Sequence, residues 1–118
     1  MDDSFGGMGD YNTLMNLFDE TEQEIETLRE SGYRIAKYQA EYRMKVALAT
    51  LELRASNTPV TVISDIVRGD PDIAALKLKW VCAEADNKSS SHIIFLNERK
   101  IDVLNDQLKR EWYRPSNA

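Results

Sequence analysis

From Leu14 the chain can be walked in unbroken 4-3 spacing through Phe18, Thr21, Ile25, Leu28, Gly32, Ile35, Gln39, Tyr42, Val46 and Ala49 to Leu53. Nine of these twelve positions are apolar. A repeat of about 3.5 residues lays them along one side of an α-helix and is incompatible with the two-residue period of a strand. A second walk in the same spacing runs Ile73, Leu76, Trp80, Ala83, Asn87, Ser90, Ile94, Asn97, Ile101, Leu104, Leu108 and Glu111, with eight of twelve apolar. A chain of 118 residues is one domain in length. Two long stripes joined by a short connector bury themselves by facing each other. The expected fold class is therefore all-α: an antiparallel long-helix hairpin, coiled-coil-like, with a short corner helix.

Of three prolines and five glycines, only Pro115 lies beyond Pro71, so residues 72–114 contain no strong helix breaker. Ser31-Gly32 falls inside the first stripe, costs about 1 kcal/mol relative to alanine and marks a candidate break. The connector is rich in β-branched residues, as strands are, but its boundaries spell a short helix. Thr58 suits the N-cap, Pro59 the first helical position and Gly69 a left-handed residue after the end. Asp70-Pro71-Asp72 then repeats the start signal. Helices are expected over residues 10–56, with the candidate break at 31–32, over 59–68 and over 71–113. A Gly-rich disordered tail is expected at 1–9 and a short tail at 114–118.

Folding about the corner brings Leu53 opposite Ile73, Ala49 opposite Leu76, Tyr42 opposite Ala83 and Gly32 opposite Ile94, large against small. In this register Gln39 meets Asn87, a polar layer that resists slippage because a shifted alignment buries each amide against apolar neighbours. One seam is too little buried surface to offset the conformational entropy of so long a chain. Further apolar residues lie off it: Met44, Leu48 and Leu51 on the first helix, Leu78, Val81, Phe95 and Leu96 on the last. The corner helix is expected to cover part of this second stripe but not Phe95 and Leu96. These seven residues are the candidate oligomer or partner interface, and assembly into an oligomeric helical bundle is expected.

The net charge of −5 is unevenly distributed. Residues 1–30 hold nine acids and one base, whereas residues 31–118 hold eleven acids and fourteen bases. The acidic run from Asp19 to Glu26 reads as a solvated helix face or, more sharply, as an arm that shields a basic surface or mimics nucleic acid. No apolar run has the roughly 18 residues of a membrane span, and acids stand where a secretory signal is basic. A soluble, cytoplasmic protein is expected. The single Cys82 excludes an intramolecular disulfide and, in its apolar setting, is expected to be a buried structural thiol. His92 follows Ser89-Ser90-Ser91, but adjacent side chains on a helix point in different directions, so a surface histidine is expected rather than a nucleophile–base pair. No nucleotide, calcium or zinc spacing occurs. The expectation is a non-enzymatic protein with no catalytic residue, metal, cofactor or small-molecule substrate.

Bases and aromatics interleave near the corner. Arg34, Lys37, Arg43, Lys45, Arg54, Lys77, Lys79 and Lys88, with Arg68 between them, surround Tyr33, Tyr38 and Trp80. These eight bases are the nucleic-acid-binding candidates, because cations track a single-stranded backbone while aromatic rings stack its bases. An ordinary helix surface, with Glu41, Glu52, Glu84 and Asp86 offsetting the bases, is the alternative. Trp112 either closes the open end of the hairpin or belongs to a docking tail.

Three segments together carry a resemblance: EYRMKVALA at 41–49, PVTVISDIVRG at 59–69 and LNDQLKREW at 104–112. Over residues 33–113 the chain resembles small all-helical proteins encoded by tailed bacteriophages near replication and recombination genes. In size and in its helix, connector, helix layout it is also similar to the recombination mediator of T-even phages. The resemblance implies a homo-oligomeric accessory factor in single-stranded DNA replication or recombination, with single-stranded DNA and a recombinase or single-strand-binding protein as partners. Its motifs are structural and carry over no catalytic residue. The net charge departs from that of a simple DNA binder. The alternative is a phage counter-defence protein whose acidic arm and apolar stripe block a host protein, or one that sequesters a nucleotide signal.

Overall fold

The computed structural model describes residues 7–113. Helices α1 (Gly7–Ala55), α2 (Val60–Arg68) and α3 (Pro71–Tyr113) follow in order, and no strand occurs among the described residues. α1 packs against α3 as a hairpin with α2 at the corner, the expected fold class. The antiparallel course is visible in the cross-helix contacts: Tyr42 meets Trp80, Ser31 meets Asn87 and Glu20 meets Asn97. Packing divides the chain into two compact units, one of Arg29–Asn87 and one of the residues up to Leu28 together with those from Lys88 onward.

α1 starts at Gly7, so residues 7–9 belong to the helix rather than to the expected tail. Residues 1–6 and 114–118 of the expected tails lie outside the described residues. The candidate break at Ser31-Gly32 is absent, since α1 is continuous through it. The two small residues serve close approach instead. Ser31 is fully buried and its Oγ accepts a hydrogen bond from Asn87 Nδ2 at 3.0 Å, and a Cβ on Gly32 would stand 3.8 Å from the same Asn87 nitrogen.

The corner differs from expectation in its caps. Asn57, at φ 60°, is the left-handed residue, and it ends α1 in a Schellman motif. The Thr58 N–H bonds to the Leu53 carbonyl and the Asn57 N–H to the Arg54 carbonyl, both at 3.0 Å. Thr58 is thus used up by the end of α1. Pro59 takes the N-cap position of α2 with no side-chain cap, and the helix begins one residue later than expected. Gly69 is not left-handed either: at φ −85°, ψ −2° it stays in the right-handed region, leading directly into the next start. That start is built as the sequence suggested, with Asp70 Oδ1 accepting from the Asp72 and Ile73 N–H groups at 2.9 and 3.1 Å.

In the Arg29–Asn87 unit, Ile63 and Val67 of α2 and Ile73 of α3 form the buried cluster, against which Tyr42, Val46, Ala49 and Leu53 pack. α2 therefore covers the seam face of α1, not the second stripe, and Met44, Leu48 and Leu51 remain exposed. This placement also corrects the register. With α2 seated on the last turns of the α1 seam, α3 meets α1 about one heptad further back, so Asn87 pairs with Ser31. Gln39, its expected partner, lies eight residues away on α1, about 12 Å along the axis.

In the other unit polar residues interrupt an otherwise apolar seam. Asn97 is 2% exposed and donates through Nδ2 to Glu20 Oε1 at 2.8 Å, and Ser90 is also buried. An apolar residue in place of Glu20 would leave the Asn97 amide unpaired, at a cost of about 1–3 kcal/mol. Leu14, Leu17, Thr21, Glu24 and Leu28 are the shielded positions on α1 here. Phe18 and Ile25, assigned to the seam by spacing, are each 43% exposed and face outward. The apolar stripe they belong to lies one residue around the helix from the seam that α3 covers.

Candidate functional site

The basic and aromatic residues of the Arg29–Asn87 unit do come together, but several are already occupied by one another. Tyr42 and Trp80 pack with centroids 5.6 Å apart at 58°. Lys77 Nζ lies over both rings, 4.3 Å from the Trp80 centroid and 5.4 Å from that of Tyr42. Lys79 stands 5.9 Å from the Tyr38 ring. These cation–π contacts cover ring faces on which a base would stack. Arg34 is held by Asp86 at 3.4 Å across the helices and by Glu30 at 3.7 Å one turn away. Its guanidinium is thereby neutralised locally.

Lys37, Arg43, Lys45 and Arg54 are exposed on α1 and make no ion pair among the described residues. Their charge is left to offer a partner. Lys45 shares a shallow hollow of about 260 Å³ with Glu52, Asp70 and Asp72, whose carboxylates lower the local potential for an anion. Lys88 is exposed and belongs to the other unit.

A second concavity, which sequence reasoning missed, runs between α1 and α2. It measures about 440 Å³ and is lined on α1 by Tyr42, Val46, Thr50 and Arg54, a ridge of four-residue steps, and on α2 by Val60, Ile63, Ser64, Val67 and Arg68. Its floor is aliphatic, hydroxyls stand along it and two arginines edge it. Arg68 donates to Ser64 Oγ at 3.2 Å. The four-residue spacing of 42, 46, 50 and 54 is visible in the sequence, but the groove exists only because α2 lies beside that ridge.

All seven candidate interface residues are exposed: Met44, Leu48, Leu51, Leu78, Val81, Phe95 and Leu96. Arg99 covers part of the Phe95 ring, 5.6 Å from its centroid. Tyr11, Met15, Phe18 and Ile25 add an exposed stripe on the first turns of α1, spaced 4, 3 and 7 residues. The signal for it was two overlapping heptad patterns one residue apart, of which only one can face α3. Cys82, expected to be buried, is exposed, because it lies outside the Trp80–Ala83 seam positions. His92 is exposed. Among the described residues no three metal-ligating side chains cluster, and no helix is long and apolar enough to cross a membrane. The chain matches no protein-family model, no curated protein and no solved structure.

Proposed function

We propose that this chain is a non-enzymatic helical protein that works as an assembly, burying its outer apolar faces against further copies of itself. The observation that carries this reading is the inverted distribution of side chains. The buried hydrophobic residues are Leu14, Ile63, Val67, Ile73, Leu76 and Ala83, and Ser31, Ser90 and Asn97 are buried beside them. Eighteen large hydrophobics among the described residues are exposed. Assembly supplies the missing core, as in helical bundles whose protomers do not stand alone.

Sedimentation or light scattering tests the reading directly. The wild-type chain is expected to be oligomeric at micromolar concentration, and Phe95→Glu with Leu96→Glu is expected to weaken that assembly. A wild-type monomer would remove the reading.

A second reading, in which the assembly acts as an accessory factor on single-stranded DNA, is favoured by the unpaired charges of Lys37, Arg43, Lys45 and Arg54 on one helix. Here single-strand affinity should fall steeply with salt, and Arg43→Glu with Lys45→Glu should weaken it while leaving helicity intact. A folded protein with no affinity for single strands at low salt would exclude direct contact.

A further inference from the structure

We infer that the groove between α1 and α2 receives the acidic first turns of α1 from a second copy of this chain. The inference rests on the self-association proposed above and names one of its interfaces.

The groove has the form of a helix receptor: an aliphatic floor of Val46, Ile63 and Val67, open along its length, with Arg54 and Arg68 at its edge. An amphipathic helix docks into such a groove through anchors at four- and three-residue steps. Tyr11, Met15, Phe18 and Ile25 form such a row, each still about half exposed beside α3. The lengths agree. From Tyr42 to Arg54 the ridge extends about 18 Å, and from Tyr11 to Ile25 the row extends about 21 Å.

The charges agree as well. The first 28 residues carry eight acids and no base. Glu22 falls within the apolar row, between Phe18 and Ile25, and Asp19 flanks it; both are exposed and make no ion pair among the described residues. Among the described residues Arg54 likewise makes none, and Arg68 has the Ser64 hydroxyl alone. Two arginines edging an apolar groove select an acidic helix over a basic one, and this chain carries such a helix with its apolar row half exposed.

Charge reversal in trans tests the pairing on the full chain. Arg54→Glu with Arg68→Glu, and separately Asp19→Arg with Glu22→Arg, should each raise the dissociation constant of self-association about tenfold or more. Mixing the two variants should restore association between them, with helicity unchanged by circular dichroism. A second measurement covers the case in which a reversal unfolds the corner: in a Cys82→Ser background, Phe18→Cys and Thr50→Cys chains mixed under mild oxidation should give a covalent heterodimer. If the wild type assembles and Phe95→Glu with Leu96→Glu disrupts it, but neither charge reversal weakens it and no crosslink forms, the inference fails and the assembly reading stands. A monomeric wild type overturns both. Should the arginine reversals abolish single-stranded DNA binding and leave assembly untouched, the groove has a different occupant and the inference is likewise overturned.

Discussion

Asn57 is the residue on which the corner turns. Its φ of 60° is one that asparagine tolerates, that glycine adopts freely and that a β-branched side chain resists. Asn57→Gly should therefore preserve stability, whereas Asn57→Val should lower it by about 1–2 kcal/mol, measured by urea denaturation. Equal midpoints for the two variants would refute the left-handed assignment. Asp70 illustrates the opposite kind of residue, one whose role is set by its immediate neighbours. It precedes Pro71, its carboxylate caps α3, and Asp70→Ala should cost about 1 kcal/mol. The cap was legible because Asp-Pro-Asp is a local signal. The left-handed stop was not, since it falls after α1 at Asn57, whose own N–H reaches back to Arg54 while that of Thr58 reaches Leu53, and not after α2 at Gly69.

At the scale of elements, α2 holds the corner by two residues one turn apart. Ile63 and Val67 are buried against Ile73, which is 3% exposed, while Val60 on the same helix is 75% exposed. Ile73→Ala should destabilise the fold by about 2–5 kcal/mol through lost burial and the cavity left behind. Val60→Ala should change stability by no more than about 0.5 kcal/mol, provided the folded chain is compared at a concentration where assembly is unchanged. Similar losses for both would mean that α2 does not pack as described. The helix boundaries here were readable from proline and glycine punctuation. The face to which α2 packs was not, because its apolar residues suit either the seam or the second stripe of α1.

For the molecule as a whole, the proposed assembly ties stability to association. Tyr33, Met44, Leu78, Phe95 and Trp112 stand in solvent, and on that proposal their burial comes only with further copies. Its thermal midpoint should therefore rise with protein concentration, and Phe95→Glu with Leu96→Glu should reduce that dependence; calorimetry over a concentration series checks both. A midpoint independent of concentration, in a protein shown to be oligomeric across the whole series, would place the outer faces outside the folding reaction. Among the candidate site residues, the exposure of the seven apolar ones was legible because they fall out of step with the seam. The basic ones could be named but not sorted. Only placement across the helices shows that Arg34 is tied to Asp86 and Lys77 to Trp80, leaving Arg43 and Arg54 unpaired.

The period of the apolar residues determined the all-helical class and the face of α3 that meets α1, since Ile73, Leu76, Trp80, Ala83, Asn87, Ser90 and onward to Leu108 are all shielded. A heptad pattern cannot by itself determine register, because sliding one helix by seven residues returns the same stripe to the same place. Tertiary packing decided that. α2 occupies the end of the α1 seam, and the hydrogen bonds of Asn87 to Ser31 and Asn97 to Glu20 select the alignment that satisfies both amides. The same packing chose Leu17 and Glu24 over Phe18 and Ile25 for the first part of α1. Two stripes one residue apart are equally periodic. Only packing against α3 distinguishes them, and it leaves the stripe of Phe18 and Ile25 the more exposed.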